Sequence, residues 1–309
     1  MTSAVVSAAD ARFGRFLLNL LGSIRRRSDI FDEVIVYDLG MTRFQRRLLD
    51  GVRGVQVREV PPFVPHWRQG RTWKTWIWTH VEADAVVWLD AGITVLRPLD
   101  DFLRQIEERG YFVVSQGVPN RDCIPSDYYE LYDLPHTFDE EPTIAAGILG
   151  FATDSEFYRR VIVPTFDDAV LGRSLGFSAS EVPKLNKGLD YMPDVIVRDC
   201  PLFRYDQTIL GINFYKSVPD PHVNDLYKYG GWRSTREHPE QVIWSHRRRG
   251  DFRFLPWVPY RLPTALVGIP WGIGVYLRML FLNYRWLLRP SFHLHVVRRL
   301  AARTSAKLR

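Results

Sequence analysis

The amino-acid sequence predicts an α/β fold in which helices flank a mixed, mostly parallel sheet. Short apolar runs alternate with longer segments of helical periodicity, which is the order expected of βαβ units. One of the runs, residues 85–89, is uncharged throughout, as expected of a strand that is buried on both faces. The chain has 309 residues, of which 46% are hydrophobic and 25% charged, so it can bury one large core or two modest ones.

The first ninety residues supply most of the predicted sheet. Residues 4–9 predict the first strand, and apolar side chains recur at helical spacing from Phe13 to Ile24 before three arginines close the last turn. Asp10 lies between these two elements, where its carboxylate would cap the helix. The remaining predicted elements of this part are strands at 34–37, 55–60 and 85–89 and helices at 44–49 and 69–81.

The second half of the chain is less regular. Residues 117–143 are rich in Pro, Asp and Tyr and predict a long loop over a functional site, because loops of this length in compact domains are usually functional. Residues 172–200 predict a second loop-like stretch. The regular elements expected here are strands at 111–115, 144–151 and 242–244, a helix at 155–171 interrupted near Pro164, and a short helix at 206–214.

The net charge of +6 is unevenly distributed along the chain. From Trp244 to the C-terminus there are thirteen Lys or Arg against one acid, a net charge of +12, so the first 243 residues carry −6. Such an asymmetry indicates a nucleic acid or an anionic membrane surface as partner. We therefore divide the chain into a domain at 1–250 and a basic, apolar, helical C-terminal appendage at 251–309.

The apolar part of this appendage decides between the two partners. Residues 264–277 carry no charge, and the apolar pattern continues to residue 288. Fourteen uncharged residues are fewer than the roughly 20 that a spanning helix needs, and Arg278 would be costly at the membrane centre. We expect this segment to lie in the membrane interface with the basic tail on anionic lipid, and we expect no nucleic-acid partner. The alternative is a C-terminal hairpin buried in the fold.

Cysteine content points to the compartment. Cys123 and Cys200 are the only two cysteines, and no secretory signal opens the sequence, so two reduced thiols in a reducing cytosol are expected. A disulfide between these two distant cysteines is the alternative. With the basic tail, this predicts a cytoplasmic protein that is peripheral on the inner face of the membrane.

Asp90-Ala91-Gly92 is the most informative motif. It directly follows the uncharged run 85–89, and a second strand-like run follows it. A carboxylate at the carboxyl end of a buried strand lies where open α/β sheets bind their ligands. The alternative is a turn Asp at a strand end.

Several stretches between Val5 and about Arg249 together resemble a GT-A-fold nucleotide-sugar glycosyltransferase of the family-8 type, with a variant Asp-x-Asp motif. Each stretch is weak alone, and their order and spacing carry the resemblance. They are residues 5–10 and 19–24, 34–38, Trp73-Lys74, Trp88 to Gly92, Ala145 to Phe151, and Tyr205 to Leu210.

The resemblance implies a nucleoside-diphosphate sugar as donor and a divalent cation, Mn²⁺ or Mg²⁺. The base and ribose would bind at Ala8, Ala9 and Asp10. Asp90 would hold the metal, but Gly92 stands where the family has its second metal-binding Asp and has no side chain to offer. His246, in the place where such enzymes supply a histidine ligand, would then complete the metal site.

Side-chain cations are the alternative to a metal at the diphosphate. Lys74, Arg247, Arg248 and Arg249 would serve, since guanidinium forks suit phosphate oxygens. A solvated basic patch on lipid is the other interpretation of the arginine run.

Two further positions are assigned roles by the resemblance. Gly147 would let the backbone approach the donor sugar, although Ala145 stands where the family more often has an Asn. Asp206 and Gln207 match an Asp-Gln pair near the anomeric carbon and are the expected catalytic residues. Alternatively, Asp206 only caps the helix that follows it.

These assignments predict a hexosyltransferase-type enzyme that moves a sugar from a nucleoside diphosphate to a glycan or lipid-linked acceptor, such as a cell-envelope glycan. The alternative is a catalytically degenerate relative that binds a nucleotide or a glycan.

Overall fold

The computed structural model describes residues 1–176, 200, 202–230, 238–245 and 252–284. His246, Arg247, Arg248 and Arg249 lie outside the described residues, as do most of the predicted loop 172–200 and the end of the basic tail from residue 285.

A six-stranded mixed sheet forms the centre of the fold, with strand order β3-β2-β1-β4-β7-β6. Strands β1 to β4 are parallel to one another, and β7 runs antiparallel to both β4 and β6. The strands are β1 (Ser3–Ala9), β2 (Glu33–Asp38), β3 (Val55–Glu59), β4 (Ala85–Leu89), β6 (Tyr111–Pro119) and β7 (Pro142–Ala152). A separate antiparallel pair consists of β5 (Ile93–Val95) and β8 (Ile243–Ser245).

Helices cover both faces of this sheet. They are α1 (Gly14–Arg27), α2 (Arg43–Asp50), α3 (Thr72–His80), α4 (Asp100–Arg109), α5 (Ser126–Tyr132), α6 (Val163–Val170), α7 (Asp206–Ser217), α8 (Leu226–Tyr229) and α9 (Thr264–Tyr284). The predicted mixed, mostly parallel α/β architecture with a helical C-terminal segment is therefore confirmed.

Successive side chains along each strand point to opposite faces of the sheet, so the sheet has a hydrophobic core on each face. In β4, Val87 and Leu89 join the core beneath α1, α2 and the segment 252–260, while Val86 and Trp88 face the core beneath α3 and α7. All five β4 side chains are buried, which explains why this strand has no charge. Because residues 252–260 also fill the first core, the division of the chain at residue 250 stays a prediction.

Two regions differ from the sequence predictions, and one local prediction is confirmed. No element was predicted over α4, although two acids open it and Gly110 ends it with a φ of 80°, which are ordinary helix boundary signals. The prediction of a long loop at 117–143 is wrong, since that range contains the end of β6 and α5, whose Tyr128 and Tyr132 are buried in a small third core. The predicted interruption near Pro164 is confirmed, because a π-helical turn (Tyr158–Ile162) precedes α6.

The C-terminal helix α9 lies against the domain along one face. Gly268 and Gly272 bring its backbone close to Tyr260 and Leu255, where an added Cβ would lie 2.6 and 3.1 Å from their side chains. The opposite face is exposed and apolar; it consists of Leu266, Ile269, Ile273, Leu277 and Phe281. By length and composition, the window Thr264–Leu282 could cross a bilayer, with a mean hydropathy of 1.6 and 11% of it buried.

Candidate active site

The carboxyl end of β4 places Asp90 between neighbouring strands. The Ser7 hydroxyl of β1 donates to the Leu89 carbonyl at 2.6 Å, and the Asp90 N–H donates to the Gly147 carbonyl of β7 at 2.9 Å. The chain then turns, with the Ile93 N–H donating to the Asp90 carbonyl. Asp90 and Gly147, which lie far apart in the sequence, are thus in direct contact.

Lys74 is the centre of the site. Its side chain is 2% exposed, and its Nζ lies 2.9 Å from Asp90 Oδ1 and 3.0 Å from Asp206 Oδ2. The ammonium donates an aligned hydrogen bond to the Ala146 carbonyl at 3.1 Å, and it also lies 5.3 Å from the ring centre of Trp88. A buried ammonium is tolerated only with such compensation, so the side chain is fixed between two carboxylates that are distant in sequence.

Asp206 is the first residue of α7 and is 1% exposed. The helix cap is Tyr205, and no side chain caps this terminus, so the alternative interpretation of Asp206 as an N-cap is wrong. Its Oδ1 accepts a hydrogen bond from Arg71 at 3.3 Å. Its Oδ2 touches Lys74 without hydrogen-bond alignment and accepts no hydrogen bond from the described residues.

Arg71 belongs to the site although the sequence analysis did not select it. It precedes α3 with a φ of 58°, and Tyr205, over whose ring its guanidinium lies at 5.4 Å, has a φ of 55°. Left-handed backbone at non-glycine residues costs about 1–3 kcal/mol and clusters at functional sites. The available signal was the Gly70-Arg71 step before the helix, where Gly70 also has a positive φ.

Gln207, the second predicted catalytic residue, lies beside Asp206 in the first turn of α7. Its side chain is 7% exposed, and its Nε2 has no hydrogen-bond partner among the described residues. One turn later, a Cβ at Gly211 would lie 3.9 Å from Oδ1 of Asn120, and Asn120 is also buried with neither amide atom bonded to a described residue. Buried polar groups are rarely left without partners, which sets both amides apart among the described residues.

Ala8, Ala9 and Asp10 follow one another at the carboxyl end of β1, on the same edge of the sheet as Asp90. Both alanines are buried, and Asp10 is half-buried. Asp10 Oδ1 accepts from the backbone N–H groups of Arg12 and Phe13 at 2.9 and 3.0 Å. Because α1 begins only at Gly14 with no side-chain cap, the predicted capping role is wrong: Asp10 shapes the turn before the helix.

Asp38 ends β2 beside Ala9 and stabilises this edge. Burial raises the pKa of its carboxyl group, but hydrogen bonds from the backbone N–H groups of Met41 and Gly40 and the Arg46 guanidinium lower it more. The net pKa is therefore below the ordinary value, and the carboxylate stays charged.

The described residues offer little to a divalent cation. No group of three or more His, Cys, Asp or Glu within them is placed to share a metal ion. Gly92 is buried in the turn after β4 without a side chain, and Asp90 Oδ1 is already in contact with Lys74 and accepts a hydrogen bond from Trp88 Nε1. Of the other predicted ligands to metal or diphosphate, His246, Arg247 and Arg248 lie outside the described residues.

Comparisons with known proteins agree with this architecture. No protein-family model and no curated protein sequence matches the chain. The apo structure of the bifunctional glycosyltransferase WbbM matches over 90% of this chain with a TM-score of 0.53 and 14% identity, and the chain spans about half of that protein, 51%. The galactosyltransferase LgtC, solved with donor and acceptor sugar analogues, matches over 89% of this chain and 94% of its own, with a TM-score of 0.51 and 14% identity.

At this level of identity the likeness establishes the fold alone. The chain has the α/β fold of GT-A glycosyltransferases, as the sequence predicted. The narrower likeness to family 8 stays a prediction.

Proposed function

We propose that this protein transfers a sugar from a nucleoside-diphosphate sugar to a glycan or glycolipid acceptor. One observation carries the proposal: the first two residues of α7, Asp206 and Gln207, carry a buried carboxylate oxygen and a buried amide nitrogen that make no aligned hydrogen bond with the described residues, although the oxygen lies 3.0 Å from Lys74 Nζ. The carboxylate oxygen accepts hydrogen bonds, and the amide nitrogen donates them. Sugar hydroxyls both donate and accept, so a bound sugar can supply partners for these two groups.

The surrounding residues divide into those for the nucleotide and those for the sugar. Ala8 and Ala9 leave room for the base at the end of β1, and Asp10 lies where a ribose hydroxyl would approach. The small residues around Gly147 let the donor sugar reach the sheet edge, and Asp206 and Gln207 orient its hydroxyls near the anomeric carbon. Lys74 fixes the positions of the Asp90 and Asp206 carboxylates by contacting both.

Donor binding followed by turnover tests the function. Calorimetry with UDP and GDP, each with Mn²⁺ present and with a chelator, should detect binding of at least one nucleoside diphosphate. The slow hydrolysis of the matching nucleotide sugar then separates the enzyme from a degenerate binding protein, which would bind without turnover. A protein that binds no nucleoside diphosphate in either buffer is not this transferase.

The acceptor is proposed to lie at an anionic membrane surface, with the protein peripheral on its cytoplasmic face. The exposed apolar stripe of α9 and the glycine face that packs on the domain support a helix lying in the plane of the interface. Arg261 and Arg278, both exposed, are placed to meet anionic headgroups.

Vesicle flotation tests this membrane association. Replacing Leu266 and Leu277, which are 70% and 57% exposed, by Gln should release the protein from vesicles that contain phosphatidylserine. The matched control is Leu131→Gln, at a leucine 51% exposed on α5, which should float like the parent protein. Unchanged flotation of the double variant would remove α9 from the membrane contact.

A further inference from the structure

The charges of the four described residues Lys74, Arg71, Asp90 and Asp206 sum to zero. Asp90 and Asp206 supply two negative charges, and Lys74 and Arg71 supply two positive ones at 2.9 to 3.3 Å. A divalent cation on Asp90 would stand close to an ammonium that cannot move away, because Lys74 is 2% exposed and also contacts Asp206 and the Ala146 carbonyl. Two positive charges that lie close together repel strongly where water is scarce.

Of the two described cations in this cluster, Arg71 is the one that a ligand can reach. Its side chain is 36% exposed, whereas Lys74 is buried. Arg71 directly precedes α3 and Lys74 lies in the first turn of that helix, so the start of α3 brings both charges to Asp206. The left-handed backbone at Arg71 and at Tyr205 and the contact between their side chains hold the guanidinium beside Asp206.

We propose that Arg71 binds the donor diphosphate in place of a divalent cation, with the Lys74 ammonium offsetting the charge of Asp90, so that transfer needs no metal. The inference rests on the proposed transferase function. A guanidinium has five N–H donors in a planar fork, so it can bond Asp206 and phosphate oxygens together. Because Lys74 matches the charge of Asp90, the diphosphate does not meet an uncompensated carboxylate.

The same cation would act during transfer. The bond between the anomeric carbon and the phosphate oxygen breaks, and its electron pair leaves with the diphosphate, which gains one negative charge. A new bond forms from the acceptor oxygen to the anomeric carbon, and the acceptor proton passes to water. A fixed guanidinium at the departing oxygen stabilises this charge without further reorganisation.

Calorimetry of UDP and GDP in a chelator, repeated with Mn²⁺, tests the inference. Binding should persist in the chelator and change by less than about threefold when Mn²⁺ is added. Arg71→Gln should weaken binding in the chelator by about tenfold or more, the loss expected of a hydrogen bond to a charged group. The matched control is Arg68→Gln, which removes an exposed guanidinium that stacks on Trp67 in the same segment and should leave binding unchanged.

The outcomes separate this inference from the function beneath it. Binding of UDP or GDP that appears only with Mn²⁺, or that tightens tenfold with it, would contradict metal-free donor binding and would not contradict the proposed transferase function. Unchanged binding by Arg71→Gln overturns the role of Arg71. Absence of nucleoside diphosphate binding in both buffers overturns the transferase and this inference together. Arg71→Lys keeps the charge without the fork, so it should recover part of the lost affinity.

Discussion

Replacing Lys74 by Met tests whether the ammonium holds the site together. The substitution keeps most of the side-chain length and removes the charge that Asp206 and Asp90 contact. Removing one partner of a buried ion pair costs about 3–5 kcal/mol. Since Asp90 is 25% exposed and Asp206 keeps Arg71, we expect a loss near the lower end, about 3 kcal/mol of the free energy of unfolding.

Urea unfolding followed by tryptophan fluorescence measures this loss, and a double-mutant cycle assigns it. Asp206→Asn in the Lys74→Met background should cost about 1–3 kcal/mol less than it does alone, because the unpaired carboxylate is gone. Lys228→Met is the control at an exposed lysine and should change stability by no more than about 0.5 kcal/mol. Strictly additive losses, or a loss below about 1 kcal/mol for Lys74→Met, would refute the reasoning.

Further predictions concern the sheet edge, the helix packing and the buried amide. Asp38→Asn should lower the free energy of unfolding at pH 7. The stability difference between variant and parent should shrink as the pH falls below about 4, because a carboxylate with a lowered pKa stabilises the fold only while it is charged. A stability difference that stays constant in acid unfolding curves would contradict this. Gly22→Ala should lower the free energy of unfolding by at least about 1–3 kcal/mol, since its Cβ would lie 2.0 Å from the Phe254 carbonyl oxygen. Gly274→Ala, whose Cβ would have nothing within 4 Å, should raise it by about 0.5–1 kcal/mol. Paired thermal melts measure both changes. Gln207→Leu should leave stability equal or higher while lowering donor turnover at least about tenfold, because the Gln207 Nε2 that it removes makes no hydrogen bond to the described residues. Normal turnover by this variant would show that Gln207 is not at the sugar.

The strands and the carboxylates were readable from local sequence because their signals are local. An uncharged run such as Ala85–Leu89 can only be a doubly buried strand or a buried helix segment, and its short length decides between them. The position of Asp90 follows from that strand end. The weaker signals were those set by tertiary contacts: α5 is a seven-residue helix whose burial of Tyr128 and Tyr132 depends on residues from other elements.

The sequence by itself determined the α/β class, the carboxyl-edge position of Asp90 and the separate residues Lys74, Asp206 and Gln207 as candidates. Only the tertiary structure decided that the Lys74 ammonium lies between two carboxylates, one of them more than a hundred residues away along the chain. Only it showed that Arg71, held in a left-handed conformation, completes that cluster. The physical reason is that periodicity reports which side of one element a residue occupies, whereas the distance between charges on α3, β4 and α7 depends on how those elements pack together.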